Sequence, residues 1–200
     1  MNERISAPPF PAPGPRIVVV GATSSGKTTT AARLAGLLSI PHIELDGLMW
    51  GPNWTQPPKD VFLERVRQAV NRPAWVVDGN YSETRPITWG QATTLVWLDY
   101  SLPVIFWQLT RRTLRRIFTR ELLWGVNRET VRGAFFDRDS LYLYVIPSRK
   151  RQRQNYPRAL RQEYPNLQVI HLRTPGETRA WLDRLAAQPP VKREAETDHD

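Results

Sequence analysis

Residues 16–30 read Arg-Ile-Val-Val-Val-Gly-Ala-Thr-Ser-Ser-Gly-Lys-Thr-Thr-Thr, and the rest of the chain is interpreted from this stretch. Residues 17–20 form a short apolar, β-branched run, which is typical of a strand buried on both faces. Residues 21–28 then match the pattern G-x-x-x-x-G-K-[ST] at every fixed position. Since the helix-prone residues 31–35 follow, the stretch predicts a strand, a phosphate-binding loop and a helix.

The glycines of this loop let the backbone turn tightly and approach a polyanion. Its N–H groups can converge on phosphate oxygens at the positive end of the following helix. Lys27 is expected to reach the β- and γ-phosphates, and the Thr28 hydroxyl to bind Mg²⁺. A plain Gly/Ser turn is the alternative, but it does not require Lys-Thr after the second glycine. The predicted nucleotide-binding residues are Gly21, Thr23, Ser24, Ser25, Gly26, Lys27, Thr28 and Thr29.

The size and composition of the chain limit its class. It has 200 residues, 40% of them apolar, which suits one α/β domain or a domain that carries a small lid. No apolar run approaches the ~20 residues that span a bilayer, and the N-terminus lacks the pattern of a secretory signal. Cysteine is absent, which excludes disulfides and cysteine-ligated metals and is compatible with a cytoplasmic location.

The net charge of +9 is concentrated in one segment. Residues 111–161 hold 14 Lys and Arg against 4 Asp and Glu, whereas the rest of the chain holds 14 against 15. A uniformly basic surface would indicate nonspecific adhesion to nucleic acid. A neutral body with one basic segment instead favours an element that handles phosphate, and arginine, 24 of the 28 basic residues, suits bidentate phosphate contacts.

Runs typical of strands and helices alternate along the chain. We predict further strands at 41–45, 74–78, 94–99 and 167–172, and helices at 27–38, 60–71, 101–123 and 175–187. The last helix opens with a capping box from Thr174 to Glu177. Residues 124–161 resist assignment, because Gly125, Gly133 and Pro147 interrupt them. The proline-rich residues 1–15 are predicted to form a disordered leader or, alternatively, a ligand for a partner, and residues 188–200 a flexible tail.

Two aspartates are predicted to lie beyond the carboxyl ends of strands, where open α/β sheets bind ligands. Asp46 follows the second strand, and its carboxylate could accept a proton from a substrate hydroxyl or orient it. Asp78 ends the third strand beside the phosphate loop, where an acidic residue typically binds Mg²⁺ directly or through water. The alternatives are structural: an Asx turn before Gly47, and a turn that ends the strand at Asp78.

Two loops supply candidates for binding an acceptor substrate. Trp50 and Trp54 lie in a loop interrupted by Gly and Pro, where they could line a pocket, stack on a base or cover the core. Tyr81 and Arg85 lie in the loop after the third strand. The predicted substrate-binding residues are therefore Asp46, Trp50, Trp54, Tyr81 and Arg85.

The helix predicted after the fourth strand carries five arginines without an intervening acid. One half of its helical wheel holds Arg111, Arg112, Arg115, Arg116 and Arg120. The opposite side holds Phe106, Trp107, Thr110, Leu114, Ile117 and Phe118. A solvated basic face is the ordinary interpretation, but because five arginines repel each other, an anionic partner explains the run better.

Five strands alternating with helices after a phosphate loop indicate a parallel sheet with right-handed crossovers. The sequence resembles P-loop kinases of the adenylate kinase-like type, and it is most similar to topology modulation protein and adenylate kinase-related proteins. The likeness is carried by residues 21–28, 45–47 with the Trp50/Trp54 loop, 75–81, and 96–99 leading into the arginine helix. It covers residues 16 to about 120 and extends loosely to 187.

The resemblance implies a three-layer P-loop NTPase fold of the α/β class, with a five-stranded parallel sheet in the order 2-3-1-4-5. It implies a domain over 16–187, a basic helical lid over about 116–150, and ATP with Mg²⁺ as cofactors. The family carries an Arg-x-x-x-Arg pair that enters the lid, and two pairs match it equally, Arg111/Arg115 and Arg112/Arg116.

Two later lid arginines of the family are matched weakly by Arg138 and Arg149. Where nucleoside monophosphate kinases have Phe-Pro-Arg after Asp-Gly, this chain has Asn80-Tyr81-Ser82, and Arg85 lies further along. Asp46 is more typical of kinases that phosphorylate a hydroxyl.

The expected activity is transfer of the γ-phosphate of ATP to a nucleoside monophosphate, a nucleoside or another small hydroxyl compound. The predicted catalytic residues are Lys27, Asp46, Asp78, Arg112 and Arg116, with Arg111 and Arg115 on the nucleotide and Thr28 and Asp78 on the metal. The alternative is an ATP-binding module that acts on nucleic acid or a protein partner, since the basic residues 148–153 would attract nucleic acid if exposed. A GTPase is disfavoured because Asn-Lys-x-Asp is absent.

Overall fold

The computed structural model describes residues 11–119, 122–123, 127–128 and 141–187. The tail predicted at 188–200, residues 1–10 of the predicted leader, Arg120, and the lid segment 129–140 with Arg138 lie outside the described residues. None of the helices in the described ranges is both long enough and apolar enough to cross a membrane.

The described strands are β1 Arg16–Gly21, β2 His42–Glu44, β3 Trp75–Asp78, β4 Thr94–Leu98, β5 Leu122–Leu123, β6 Asn127–Arg128 and β7 Gln168–Leu172. Five of them form one parallel sheet in the order β2-β3-β1-β4-β7. This confirms the predicted order 2-3-1-4-5, with β7 as the fifth strand. The remaining two, β5 and β6, pair antiparallel within the predicted lid.

The described helices are α1 Lys27–Leu38, α2 Leu45–Met49, α3 Lys59–Val70, α4 Arg85–Thr88, α5 Leu102–Thr119, α6 Leu141–Gln162 and α7 Pro175–Ala187. Short 3₁₀ turns lie at Pro52–Trp54 and Ser82–Thr84. Helices α1, α5 and α7 pack on one face of the sheet, and α3 packs on the other. The chain is therefore an α/β protein of three layers.

The central strand β1 is buried on both faces, as its apolar run predicts. Ile17 and Val19 belong to the core cluster under α1 and α5, whereas Val18 and Val20 belong to the cluster under α3. All four side chains are at most 1% exposed. Because β3 and β4 pair with β1 on its two sides, the ends of all three strands meet at one edge.

Helix α6 continues through two prolines, one of which, Pro147, is predicted above to interrupt the segment. Pro147 and Pro157 both lie inside the helix. A proline inside a helix costs about 3 kcal/mol, because it removes one hydrogen bond and crowds the preceding turn. The burial of one face of the helix offsets this cost, since buried side chains recur at helical spacing: Val145, Ser148, Gln152, Tyr156 and Ala159.

The predicted faces of α5 are wrong in part. Ile105, Leu109 and Thr113 are fully buried, whereas Trp107 and Leu114, which were predicted on the apolar side, are 69% and 44% exposed. The helix has two apolar stripes, and the pattern alone does not tell which one faces the sheet. The helix also ends at Thr119 instead of about 123, because residues 122–123 pair as β5.

The leader predicted at 1–15 is in contact with the sheet over its last residues. Residues 11–15 have no regular secondary structure, but the Gly14 N–H donates to Thr94 Oγ1 at 2.9 Å. The Pro15 carbonyl accepts from the Trp75 N–H at 3.0 Å. These bonds extend the ordered domain slightly upstream of residue 16.

Candidate active site

The loop that joins β1 to α1 depends on its two glycines for different reasons. Gly26 is the N-cap of α1 at φ 85°, a left-handed conformation, and an added Cβ there would meet no atom within 4 Å. At Gly21 a Cβ would lie 2.6 Å from the Leu98 carbonyl oxygen of β4. Gly21 is therefore required by close packing and Gly26 by backbone conformation. Of the other loop residues, Thr23 is half-buried and Thr29 is exposed.

Several polar groups of this loop fit a bound phosphate. The hydroxyl oxygens of Ser24 and Ser25 are buried and have no hydrogen-bond partner in the described part of the chain. Lys27 Nζ donates to the carbonyl of Ala22, at 3.1 Å. Two unsatisfied hydroxyls, an ammonium group and the positive end of a 12-residue helix together form a site for a polyanion.

Thr28 and Asp78, the two predicted metal ligands, lie together. Thr28 Oγ1 donates to Asp78 Oδ2 at 2.7 Å, and His42 Nε2 lies 2.8 Å from Asp78 Oδ1. Both carboxylate oxygens therefore have a protein partner. The described residues hold no group of three or more His, Cys, Asp or Glu side chains arranged to hold a metal. These residues fit Mg²⁺ bound mainly by phosphate oxygens and water, with Thr28 as a direct ligand and Asp78 acting through water.

The ammonium of Lys27 lies among charged groups from three other elements. Burial lowers the pKa of Lys27, the carboxylates of Asp46 and Asp78 raise it, and Arg112 lowers it further, so that the net shift is downward. Electrostatic interactions between charged side chains near solvent weaken quickly with distance. The structure thus brings together four of the five predicted catalytic residues. The fifth, Arg116, is half-buried one turn further along α5.

Asp46 is held by a hydrogen bond from an aromatic side chain. The Tyr81 hydroxyl donates to Asp46 Oδ1 at 2.6 Å. The single Tyr81 hydroxyl proton is therefore directed to Asp46. Burial raises the pKa of the Tyr81 phenol, and the Asp46 carboxylate raises it further, so Tyr81 remains a donor. Trp54 packs edge-on against Trp50, with ring centroids 5.7 Å apart.

Arg85 has a different environment from the other predicted acceptor residues. Its guanidinium lies 4.9 Å from the centroid of the Trp89 ring and 5.2 Å from that of Tyr156. These are cation–π distances. Asp46, Trp50, Trp54 and Tyr81 form one connected group, whereas Arg85 packs on the aromatic core between α4 and α6.

The two Arg-x-x-x-Arg pairs of α5 match the family pattern equally well in the sequence, but they differ in solvent exposure in the structure. Arg112 and Arg116 are half-buried, and Arg112 is close enough to Lys27 to lower its pKa. Arg111 and Arg115 are exposed. The pair Arg112/Arg116 is therefore the one on the side of the phosphate loop.

Asn80 is a site residue that the sequence analysis did not select. Its side-chain Nδ2 donates to the Gly21 carbonyl at 2.6 Å, and its Oδ1 accepts from the Gly21 N–H at 3.4 Å. The Tyr156 hydroxyl donates to the same Oδ1 at 3.4 Å, and Gln152 Nε2 reaches the Gly21 carbonyl at 3.5 Å. The amide thus fixes the first residue of the phosphate loop to β3 and α6. Only its place directly after Asp78-Gly79 could have suggested it.

Asn80→Ala is expected to lower the free energy of unfolding by about 1–3 kcal/mol, because the Gly21 backbone groups lose their partner in a buried place. A loop without this support should also bind ATP about 10-fold more weakly. Denaturant unfolding and calorimetric titration with ATP measure the two effects. Asn155→Ala, at an exposed position of α6, is the matched control. Equal results for the two variants would contradict the role of Asn80.

Asp99, directly after β4, organises part of the basic cluster at 148–153. Arg153 Nε donates to both of its carboxylate oxygens, at 2.8 and 3.0 Å, and His171 Nε2 lies 3.2 Å from Oδ2. Arg149 forms an ion pair with Asp99 at 3.4 Å and donates from Nε to the Tyr100 carbonyl at 2.8 Å. Two of the basic residues considered for nucleic-acid binding are therefore engaged at the edge of the sheet.

Asp99→Asn is expected to lower the free energy of unfolding at pH 7 by about 2–3 kcal/mol, because two arginines lose a shared carboxylate. Burial alone would raise the pKa of Asp99, but the hydrogen bonds from His171 and Arg153 and the charges of Arg153 and Arg149 outweigh it and lower the pKa. Such a group stabilises the fold above its ordinary pKa of about 4, and this contribution is lost as the pH falls through the folded pKa.

Denaturant unfolding at pH 7, 5 and 3 measures this dependence. The difference between the wild type and Asp99→Asn should shrink between pH 5 and pH 3. Asp183→Asn, which removes only an exposed ion pair with Arg33, should change the free energy of unfolding by less than about 1 kcal/mol. A difference at Asp99 that does not vary with pH would contradict the assignment.

Comparison with known proteins gives structural matches only. No protein-family model matches the chain, and no curated protein does. Shikimate kinase from Bacteroides thetaiotaomicron is similar in structure with a TM-score of 0.51 and 15% identity, over 86% of this chain and 96% of that one. A sugar kinase from Janibacter sp. HTCC2649 has a TM-score of 0.46 and 16% identity, over 88% and 91% of the two chains. A gluconokinase from Sinorhizobium meliloti 1021 has a TM-score of 0.46 and 16% identity, over 86% and 94%.

At this level of identity the similarity concerns the fold. The strand order, the position of the phosphate loop after β1 and the match to the shikimate kinase structure agree with one another. The chain has the P-loop kinase fold, a parallel α/β sheet with the phosphate loop at its central strand.

Proposed function

We propose that the chain is an ATP-dependent phosphotransferase that moves the γ-phosphoryl group to a hydroxyl of a small acceptor. The observation that carries this proposal is the placement of Lys27, Asp78 and Asp46 at one edge of the sheet: Thr28, next to Lys27, donates to Asp78 at 2.7 Å, and Asp46 lies two residues after Glu44, which pairs with Asp78. The three groups are an ammonium for phosphate, a carboxylate beside the Thr28 hydroxyl, and a second carboxylate in position to take a proton. The kinase fold supports the proposal by analogy.

The phosphate loop would hold the β- and γ-phosphates of ATP. The Ser24 and Ser25 hydroxyls and the N–H groups at the start of α1 are the donors for phosphate oxygens. Lys27 would exchange the Ala22 carbonyl for a phosphate oxygen. Thr28 and, through water, Asp78 are the residues that would hold Mg²⁺, which would supply charge neutralisation to the phosphate oxygens.

Asp46 would act on the acceptor. In the transfer step the acceptor oxygen bonds to the γ-phosphorus, the bond from that phosphorus to the bridging oxygen breaks, and ADP leaves with the electron pair. The acceptor proton passes to the Asp46 carboxylate. Tyr81 holds that carboxylate through Oδ1, which would leave Oδ2 to accept the proton of the acceptor.

The arginines of α5 and the lid would complete the site. Arg112 and Arg116 are the pair placed to neutralise the oxygens of the transferring phosphoryl group. Strand β6 of the lid contacts the turn at Pro52–Trp54, which supports a lid that covers the acceptor side and excludes water. Arg111 and Arg115 fit a role on the nucleotide less well, because they point outward. The adenylate kinase-like subtype, the domain at 16–187 and the lid at about 116–150 are part of this proposal.

ATP turnover against a panel of nucleoside monophosphates, nucleosides and small hydroxyl compounds tests the proposed function. Acceptor-stimulated formation of ADP with a phosphorylated product, lost in Lys27→Ala, would establish the kinase. ATP binding without stimulation by any acceptor would contradict it and favour an ATP-binding module that acts on nucleic acid or a protein partner.

A further inference from the structure

The acceptor side of the site combines aromatic rings with carboxylates. Resting on the proposed kinase function, we propose that the acceptor is an uncharged, polyhydroxylated compound of the sugar or nucleoside kind, and not a phosphomonoester or a carboxylic acid. It would lie against the aromatic wall formed by Trp50, Trp54 and Tyr81 and present one hydroxyl to Asp46.

The aromatic wall is built rigidly. Tyr81 packs edge-on against Phe62, with ring centroids 5.1 Å apart, and its hydroxyl donates to Asp46. Asn53 and Trp54 both have positive φ, 55° and 59°, a conformation that non-glycine residues adopt at a cost. The turn at Pro52–Trp54 carries the Trp54 ring, which packs edge-on against Trp50.

Part of this wall remains accessible. Trp54 is 40% exposed, whereas Trp50 and Tyr81 are half-buried. An indole face carries partial negative charge, so it attracts the C–H groups of a sugar ring and stacks on a nucleobase. An aromatic surface with a hydroxyl-binding carboxylate beside it matches a ligand that is apolar on one face and hydroxylated at its rim.

The charges around the wall disfavour an anionic acceptor. Asp78 is bonded to Thr28 of the phosphate loop at 2.7 Å, and Asp46 lies two residues after Glu44, which pairs with Asp78 in the sheet, so both carboxylates lie at the edge that carries the phosphate loop. Lys27 and Arg112 are the cations that the phosphates of ATP would take up. An acceptor phosphate or carboxylate would therefore face Asp46 without compensation from these two groups.

Two arginines near the wall whose side chains the structure describes, Arg85 and Arg65, are engaged elsewhere. Arg85, expected at the acceptor phosphate, lies on the faces of Trp89 and Tyr156. Arg65 Nη1 donates to the carbonyl of Leu48 at 3.1 Å. Pairing an acceptor anion would require Arg85 to give up two aromatic contacts.

Binding of matched compounds tests the acceptor class without requiring turnover. Isothermal titration with a non-hydrolysable ATP analogue and Mg²⁺ present would compare hexoses, pentoses, polyols and nucleosides, each paired with its phosphate ester or its acid. At least one neutral compound should bind 10-fold or more tightly than its anionic partner. Comparison of the sugar and nucleoside series would then show which of the two kinds of compound is bound. Tighter binding of an anionic member, or binding of none, would overturn the proposal.

Turnover with the same compounds separates this proposal from the proposed function. Transfer to an anionic acceptor in preference to its neutral partner would support the proposed kinase function and contradict the proposal of a neutral acceptor. Preferential binding of a neutral compound without phosphoryl transfer would support the proposed class of ligand and contradict the proposed kinase function.

Variants of the wall provide a second test. Trp54→Ala should raise the KM for the neutral acceptor about 10-fold with little change in kcat or in the KM for ATP, and Trp54→Phe should restore most of the loss. Trp107→Ala, which removes an exposed tryptophan from α5, is the matched control. Asp46→Asn should bring the affinity for the anionic compound closer to the affinity for its neutral partner. An unchanged acceptor KM in Trp54→Ala would count against the wall as the acceptor site.

Discussion

Lys27→Ala is expected to lower acceptor-dependent ATP turnover by about 10²–10³-fold or more, the loss typical of removing one preorganised charge at a transferring group. Lys27 lies within electrostatic reach of both proposed catalytic carboxylates, since Asp46 and Asp78 each raise its pKa. Loss of the ammonium leaves the γ-phosphate without its partner in the loop. Steady-state turnover at saturating acceptor, followed by ADP formation, measures the effect.

The fold of this variant should be unaffected, because the Lys27 ammonium donates within the described structure only to the Ala22 carbonyl. Lys59→Ala, at an exposed position at the start of α3, removes an equal charge and should retain full activity. Lys27→Arg should not restore turnover, since a planar guanidinium cannot replace a compact ammonium in a tight loop. Activity of Lys27→Ala within about 10-fold of the wild type would contradict its role.

The sheet could be predicted from the sequence because each of its strands carries its own signal. The apolar β-branched run at 17–20 and the loop at 21–28 fix the central strand, and the order follows from the family resemblance. The capping box of α7 is also confirmed: Thr174 Oγ1 accepts from the Glu177 N–H at 3.1 Å. There the Glu177 carboxylate binds the N–H of Arg173, one residue earlier than the usual arrangement.

The helices around the lid could not be predicted as well, because tertiary packing decides them. Local propensity predicts a break at Pro147, and only the burial of one face of α6 against the sheet explains why the helix continues. For α5 the pattern offers two apolar stripes, and the choice of Ile105 and Leu109 over Trp107 depends on where β4 and α6 lie.

The candidate site could also be predicted only in part. Thr28 and Asp78 are predicted by motif and strand position, and in the structure Thr28 Oγ1 lies 2.7 Å from Asp78 Oδ2. Asn80 and Asp99 were missed as partners, because an amide that binds a backbone glycine and a carboxylate that binds two distant arginines leave no local pattern. Their roles become visible only when three segments of the chain are brought together.

Asp46→Asn is expected to lower kcat by about 10²–10⁴-fold if Asp46 takes the acceptor proton, the range that general-base catalysis supplies. The amide keeps the size of the side chain and can still accept the Tyr81 hydrogen bond at Oδ1. It cannot take up a proton, so the loss should appear in kcat at saturating acceptor while the KM for ATP changes little.

Tyr81→Phe separates proton transfer from positioning, because it removes only the hydroxyl that orients the carboxylate. It should lower kcat by about 10-fold, less than Asp46→Asn does, since Asp46 is still present as a base. Asp60→Asn, at an exposed position in the first turn of α3, removes a carboxylate of the same kind and should retain full activity. If Asp46→Asn were as active as Asp60→Asn, Asp46 could be neither the base nor the residue that orients the acceptor, and the hydroxyl would have to lose its proton directly to the phosphate.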